Sequence, residues 1–209
     1  MGHSVMSDNE TMSGQTKNCG VVLLAAGSST RMGSPKQLLK FRGKTLIRHA
    51  AETALASGCR SVIVVLGARA QQIREELSDV PVEIVENARW QEGMGTSIQT
   101  GVCVAEDLKL DGAILALADQ PLVTPEILSN LVSEHERTGK PIVASAYAGT
   151  VGVPVYFARS HFAQLLALQP SQGCKGVILS GGDDALHIDC PQAETDVDTP
   201  EDYASIAYS

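Results

Sequence analysis

Val21 to Ala26 form an unbroken apolar run that stops at Gly27 and gives way to Ser28, Ser29 and Thr30. A strand with no polar alternation has to be covered on both faces, so this run belongs in a parallel sheet with helices above and below it. The turn that follows is built to hold phosphate. Gly27 permits close approach of a ligand to the main chain, and the three hydroxyl residues add donors. Arg31 and Lys36 supply the charge a polyphosphate needs, arginine as a planar fork and lysine as a compact point charge. Two common nucleotide motifs are excluded. Gly43, Lys44 and Thr45 give the ending of a Walker A loop, but Leu38 stands where its first glycine belongs, and Ser29 stands where a dinucleotide fingerprint needs its second glycine.

The same alternation continues down the chain, which predicts a parallel sheet sandwiched by helices. Helices are expected at Thr45–Ser57, closed by Gly58, at Ala70–Leu77, at Thr96–Asp107 after a glycine-rich loop, and at Pro125–Thr138, with Thr124 as N-cap and Gly139 as terminator. Strands are expected at Ser61–Leu66, Val82–Val85, Gly112–Ala118, Ile142–Tyr147 and Val153–Phe157. Two further helices are expected near Ser160–Leu168 and at Lys175–Ser180.

In open sheets of this kind ligands bind beyond the carboxyl ends of the strands, and three such ends carry chemistry here. The first is the opening loop. At the second, Asp119 directly follows the apolar run Ile114–Ala118, a position suited to a Mg²⁺ ligand, since that ion takes one or two carboxylates and completes its shell with water and phosphate. Asp119 is equally suited to capping the turn before Pro121. At the third, Asp196 and Asp198 point to one side if the segment is extended, and Asp198 could reach the same metal. The segment from Asp198 to Asp202 also reads as an ordinary helix start. The loop Glu92–Ser97 precedes a helix, and its glycines with the free helix N-terminus suit a lid or base pocket. Trp90 just before it could wall a pocket but reads better as packing. His49, His135, His161 and His187 lie apart, none at ligand spacing to a cysteine or a second histidine.

With 209 residues, 44% of them hydrophobic, the chain can bury a substantial core. Its net charge of -8 argues against a general nucleic-acid or membrane-surface binder. Five scattered cysteines without a CxxC pair suggest reduced thiols, with neither a disulfide framework nor a zinc site. There is no apolar stretch of membrane-spanning length and no hydrophobic region of a secretory signal, so the expected location is the cytoplasm. Residues 1–18 read as a disordered tail or in part an expression remnant, and residues 19–209 as a single domain.

Four segments, in order, resemble the nucleotidyltransferases that attach a nucleotide to the molybdenum cofactor: LAAGSSTRMGSPKQLL at Leu24–Leu39, NARWQEGMGTSIQTG at Asn87–Gly101, LADQP at Leu117–Pro121 and DVDTPEDY at Asp196–Tyr203. A fifth, GVPVYF at Gly152–Phe157, is similar to the family's acceptor-side segment. The resemblance implies an α/β fold, a three-layer α/β/α Rossmann-like arrangement with a mixed, mostly parallel sheet of the nucleotide-diphospho-sugar transferase type. Members using GTP tend to show LAGG at the opening loop and those using CTP show LAAG, so Ala25 and Ala26 imply cytidylyl transfer from CTP to a molybdopterin-type phosphate acceptor, with pyrophosphate released.

The resemblance further implies Lys36 and Arg31 as catalytic phosphate contacts and Asp119 and Asp198 as ligands of Mg²⁺. It implies nucleotide binding by Ala25, Ala26, Gly27, Ser28, Ser29, Gly93, Gly95 and Ser97, and an acceptor side built from Gly152, Pro154 and Lys175. Ser171–Gly176 departs from the family's GDxGAR segment: Lys175 replaces the arginine and the acidic residue is absent. Alternatives are a nucleotidyltransferase acting on a sugar or polyol phosphate, or a protein in transient contact with a molybdenum hydroxylase that delivers the finished cofactor.

Overall fold

The computed structural model describes residues 17–29, 32 and 34–206. The expected tail therefore lies outside the described residues except for Lys17 and Asn18, which belong to the first strand. Asn18 is tied down on both sides, donating to Asp111 Oδ2 at 2.8 Å and accepting from Arg60 at 2.9 Å.

Nine strands and seven helices are described: β1 Lys17–Ala25, β2 Lys40–Phe41, β3 Lys44–Thr45, α1 Leu46–Ala56, β4 Cys59–Leu66, α2 Ala70–Glu76, β5 Glu83–Glu86, α3 Met94–Asp107, β6 Gly112–Leu117, α4 Pro125–Thr138, β7 Ile142–Tyr147, β8 Thr150–Ala158, α5 Phe162–Leu166, α6 Lys175–Ser180, β9 Ala185–Asp189 and α7 Pro200–Ile206. Seven strands form one sheet in the order β5-β4-β1-β6-β8-β7-β9, and β2 and β3 form a separate small hairpin. β8 alone runs against its neighbours, pairing antiparallel with both β6 and β7, so the sheet is mixed and mostly parallel, as expected.

Each face of the sheet is covered. The apolar stripes of α1, α2 and α4 pack with Val21, Leu23 and Val64 on one side, and those of α3, α5 and α6 pack with Val22, Ile63 and Leu115 on the other. Residues alternating along β1 thus point into two different cores, which is why its sequence shows no polar alternation. A third, small cluster of Phe41, Leu46, Val197 and Ile206 clamps the C-terminal segment onto the β2–β3 hairpin.

The chain builds outward from β1 to β4 and β5, then returns to place β6 on the other flank of β1. The strand order reverses between β1 and β6, so the crevice of this sheet opens beyond their carboxyl ends, at Ala25 and at Asp119.

Two expectations need correction, and one hairpin and one strand come in addition. The helix expected from Thr96 begins at Met94, because Gly93 takes φ 131° and ends the preceding turn, leaving its carbonyl to accept from Thr96 N–H at 3.2 Å. The helix expected near Ser160–Leu168 is a 3₁₀ turn, Arg159–His161, followed by the short α5. The β2–β3 hairpin and β9 carried no clear periodic signal and were not anticipated.

Candidate active site

At the reversal point lies a cleft of about 400 Å³, walled by the ends of β1 and β6, the opening loop, the start of α3 and the segment before α7. The opening loop is held from within. Gln37, 3% exposed, donates its amide to Ala25 O at 3.1 Å and Gly27 O at 2.9 Å, and accepts from Ser29 Oγ at 3.2 Å. Ser29 Oγ in turn accepts from the Lys36 amide at 3.1 Å. One buried side chain therefore fixes the carbonyls of the loop at the edge of the cleft.

Lys36 opens the 3₁₀ turn Lys36–Leu38 and sends its ammonium between two carboxylates, with Asp119 Oδ2 in direct contact and Asp198 Oδ1 at 2.8 Å. Burial opposes the charge on Lys36, but the contacts with Asp119 and Asp198 outweigh it and hold the ammonium above the usual lysine range. The two aspartates come from segments 79 residues apart, and a backbone bond from Val197 N to Asp119 O at 2.9 Å stitches those segments together. Asp202 Oδ2 accepts from the amides of Asp198 and Thr199 at 3.1 and 2.8 Å. The segment thus starts α7 and presents Asp198 to the cleft at once: the two readings of its sequence are compatible.

Among the described residues that line the cleft, carboxylates outnumber cations. Asp196 also lines it, and its carboxyl is pushed up to about 6 by desolvation and by the charges of Asp119 and Asp198. Asp119 Oδ1 is buried with no hydrogen-bond partner. A carboxylate oxygen in that state is costly unless a cation or donor reaches it, so Asp119 and Asp198 suit a divalent ion that takes one or two protein carboxylates and phosphate oxygens. Among the described residues no group of three or more histidine, cysteine, aspartate or glutamate side chains is arranged to hold a metal ion.

The far wall comes from α3 and the turn before it. Asn87, 5% exposed, donates to Thr96 Oγ1 at 2.8 Å and Ser97 Oγ at 2.9 Å, and accepts from Arg89 N at 2.9 Å, which locks the loop onto the helix start. Trp90, Gly93, Met94 and Ser97 line the cleft. Trp90 does what both of its readings proposed, since it walls the cleft and packs on Gly67, where an added Cβ would lie 2.6 Å from its own Cβ.

Of the expected site residues, Ala25, Ala26, Gly27, Lys36, Gly93, Ser97, Asp119 and Asp198 are brought together around this cleft. Ser28 and Ser29 sit beside it, with the Ser29 hydroxyl engaged by the loop itself. Gly95 makes its close approach to the chain, not to the cleft. Its amide donates to Pro170 O at 2.9 Å, and a Cβ there would meet Gln169 O at 2.2 Å. Gly152 and Pro154 lie on β8, where Ser145 Oγ donates to Pro154 O at 2.7 Å. Lys175 is exposed, bonds Thr150 Oγ1, and borders a second, more open cleft with Gln164, Gln172 and Ser180. Arg31 lies outside the described residues. Gln37 and Asn87 were not singled out from the sequence; their only signal was their place inside the quoted motifs.

The loop after the central strand, a lysine and two aspartates thus meet at the sheet's reversal point, the place where sheets of this kind bind their ligands. Residues 21–185 match the MobA-like NTP transferase domain, and the chain belongs to that family. The purine catabolism protein PucB of Bacillus subtilis is 31% identical over 87% of this chain and 92% of its own length. Nicotine blue oxidoreductase of Paenarthrobacter nicotinovorans is 39% identical over 67% of each chain. Among solved structures, Rv0371c of Mycobacterium tuberculosis H37Rv superposes with TM-score 0.81 at 28% identity, covering 93% of this chain and all of its own, and that protein has also been solved in complex with manganese. Among the described residues no helix is long and apolar enough to cross a membrane.

Proposed function

We propose that the chain transfers a cytidylyl group from CTP to the terminal phosphate of a molybdopterin-type acceptor, releasing pyrophosphate. The observation that carries the transfer chemistry is the Lys36 ammonium held between Asp119 and Asp198 at the mouth of a phosphate-cradling loop. The acceptor phosphate attacks the α-phosphate of CTP in line, so the protein's task is to position the groups and neutralise developing charge. Lys36 contacts the α-phosphate and the acceptor phosphate, Arg31 the β- and γ-phosphates, and amides of Ala26 to Ser29 the triphosphate. Asp119 and Asp198 would hold Mg²⁺, which supplies charge neutralisation to the phosphates when bound. As the triphosphate enters, Lys36 gives up its two carboxylate partners and moves to phosphate.

Ala25 and Ala26 in the LAAG opening support cytosine over guanine, with the Gly93–Ser97 wall on the base and ribose side. The acceptor rests on the family resemblance of the four motifs, and a divalent metal is supported by the manganese complex of a structural relative. A second reading comes from the relative named an oxidoreductase. The opening loop here, with Ser29 where a dinucleotide fingerprint has glycine, favours the transferase. The test is pyrophosphate release with Mg²⁺, molybdopterin and each nucleoside triphosphate in turn. Release with CTP is expected; preference for GTP would overturn the LAAG reading, release only with sugar or polyol phosphates would overturn the acceptor, and no release with any pair would overturn the transferase.

A further inference from the structure

The amino end of the sheet, opposite the cleft, holds a feature the transferase chemistry does not use. Cys19 on β1 and Cys59 at the start of β4 place their sulfur atoms 3.0 Å apart. They are separated by 40 residues in sequence and come together through a local irregularity. Between Lys17 and Gly20, β1 takes three steps while β4 takes two, from Cys59 to Ser61. That bulge brings Cys59 onto the face where Cys19 already packs, and both thiols join the buried cluster of Val21 and Val62. The remaining cysteines differ: Cys103 is exposed, and Cys174 and Cys190 are buried.

We propose that Cys19 and Cys59 are a modification site that closes to an intramolecular disulfide under a disulfide oxidant such as oxidised glutathione, stapling β1 to β4 at the end of the sheet remote from the cleft. Cys59, 9% exposed against 3% for Cys19, is the thiol that meets the oxidant. Its thiolate attacks one sulfur of oxidised glutathione and expels one glutathione thiolate. The Cys19 thiolate then attacks the Cys59 sulfur of the mixed disulfide and expels the second. The two thiol protons end on the two glutathione thiolates, and the two electrons lost by the cysteine pair reduce the oxidant. The bond closes a loop spanning α1 and the entry to β4, and it restricts the unfolded chain while asking little movement of the folded one.

The experiment uses the full chain carrying Cys103→Ser, which removes the exposed thiol and leaves four of the five cysteines. After incubation with oxidised glutathione, titration in denaturant is expected to find two thiols in place of four, and a non-reducing digest to give one cross-linked peptide pair joining Cys19 to Cys59. The melting temperature of the oxidised protein is expected to rise by about 5 °C or more, reversibly on reduction. Four titratable thiols after oxidation, a cross-link between any other pair, or a lower melting temperature in the cross-linked protein would overturn the proposal.

Discussion

The two halves of the molecule on either side of the β1–β6 reversal are built to different standards of constraint. On the cleft side, among the described residues, Gln37 holds the opening loop, Asn87 holds the start of α3, and Lys36 bridges Asp119 and Asp198. On the other half, β7, β8 and α6 present Lys175 as an exposed cation with one hydroxyl partner, bordering a more open cleft. On the proposed reading, the chemistry sits on the braced side and recognition of the acceptor on the more open one. A phosphoryl centre works only if its charges are preorganised, whereas an acceptor surface can change side chains without dismantling that centre. The departure of Ser171–Gly176 from the family segment falls on the adjustable side.

The largest effects should come from breaking the constrained half. Lys36→Ala and Asp119→Ala are each expected to lower pyrophosphate release by about 10²- to 10³-fold, with circular dichroism unchanged. Near-normal turnover in either variant would remove that residue from the reacting centre and erase the contrast.

Gln37→Leu should follow. It removes the amide donor to the carbonyls of Ala25 and Gly27 and the acceptor of the Ser29 hydroxyl, at a cost of about 1–3 kcal/mol in urea unfolding, and it lowers turnover by loosening the loop. A variant as stable as the parent would show that the loop is held by other means.

His49 probes the support beneath Asp119, since its ring bonds Pro121 O at 3.0 Å and packs edge-on against Phe41. Burial lowers its pKa below the usual 6.5, so the neutral ring is favoured in the folded state. The folded pKa is depressed, and the stability it contributes is therefore complete above about 6.5 and lost as pH falls through the folded value. His49→Gln should accordingly cost about 1 kcal/mol at pH 8 and progressively less below pH 6, read from paired thermal melts. A cost that stays constant with pH would contradict the neutral-ring account.

The smallest effect belongs to the adjustable half. Lys175→Ala should raise the acceptor KM about fivefold or less and leave kcat and the CTP KM unchanged, as befits an exposed cation. A collapse of kcat would place Lys175 in the reacting centre and blur the two halves into one.

Much of the constrained half could be read from the sequence because its signals are local. The run Val21–Ala26 had to be a doubly covered strand, Thr124 and Gly139 bound α4 as expected, and Asp119 follows its strand directly. What stayed hidden depends on distant partners. A glutamine or asparagine in a loop motif looks the same whether it is solvated or buried as a brace, so Gln37 and Asn87 were missed. Gly95 was read as open to a ligand because nothing in its neighbourhood announced the carbonyls of Gln169 and Pro170. β2, β3 and β9 are short and half-exposed, too weak in period to stand out from loops. The meeting of Cys19 and Cys59 arises from a bulge that composition does not encode.

Transfer of the cytidylyl group is tested by following the α-phosphate of CTP. With Mg²⁺, molybdopterin and CTP labelled at that phosphate, the label should move into molybdopterin cytosine dinucleotide in a one-to-one ratio with pyrophosphate released. Label remaining on free nucleotide while pyrophosphate accumulates, or label transferred from GTP in preference to CTP, would contradict it.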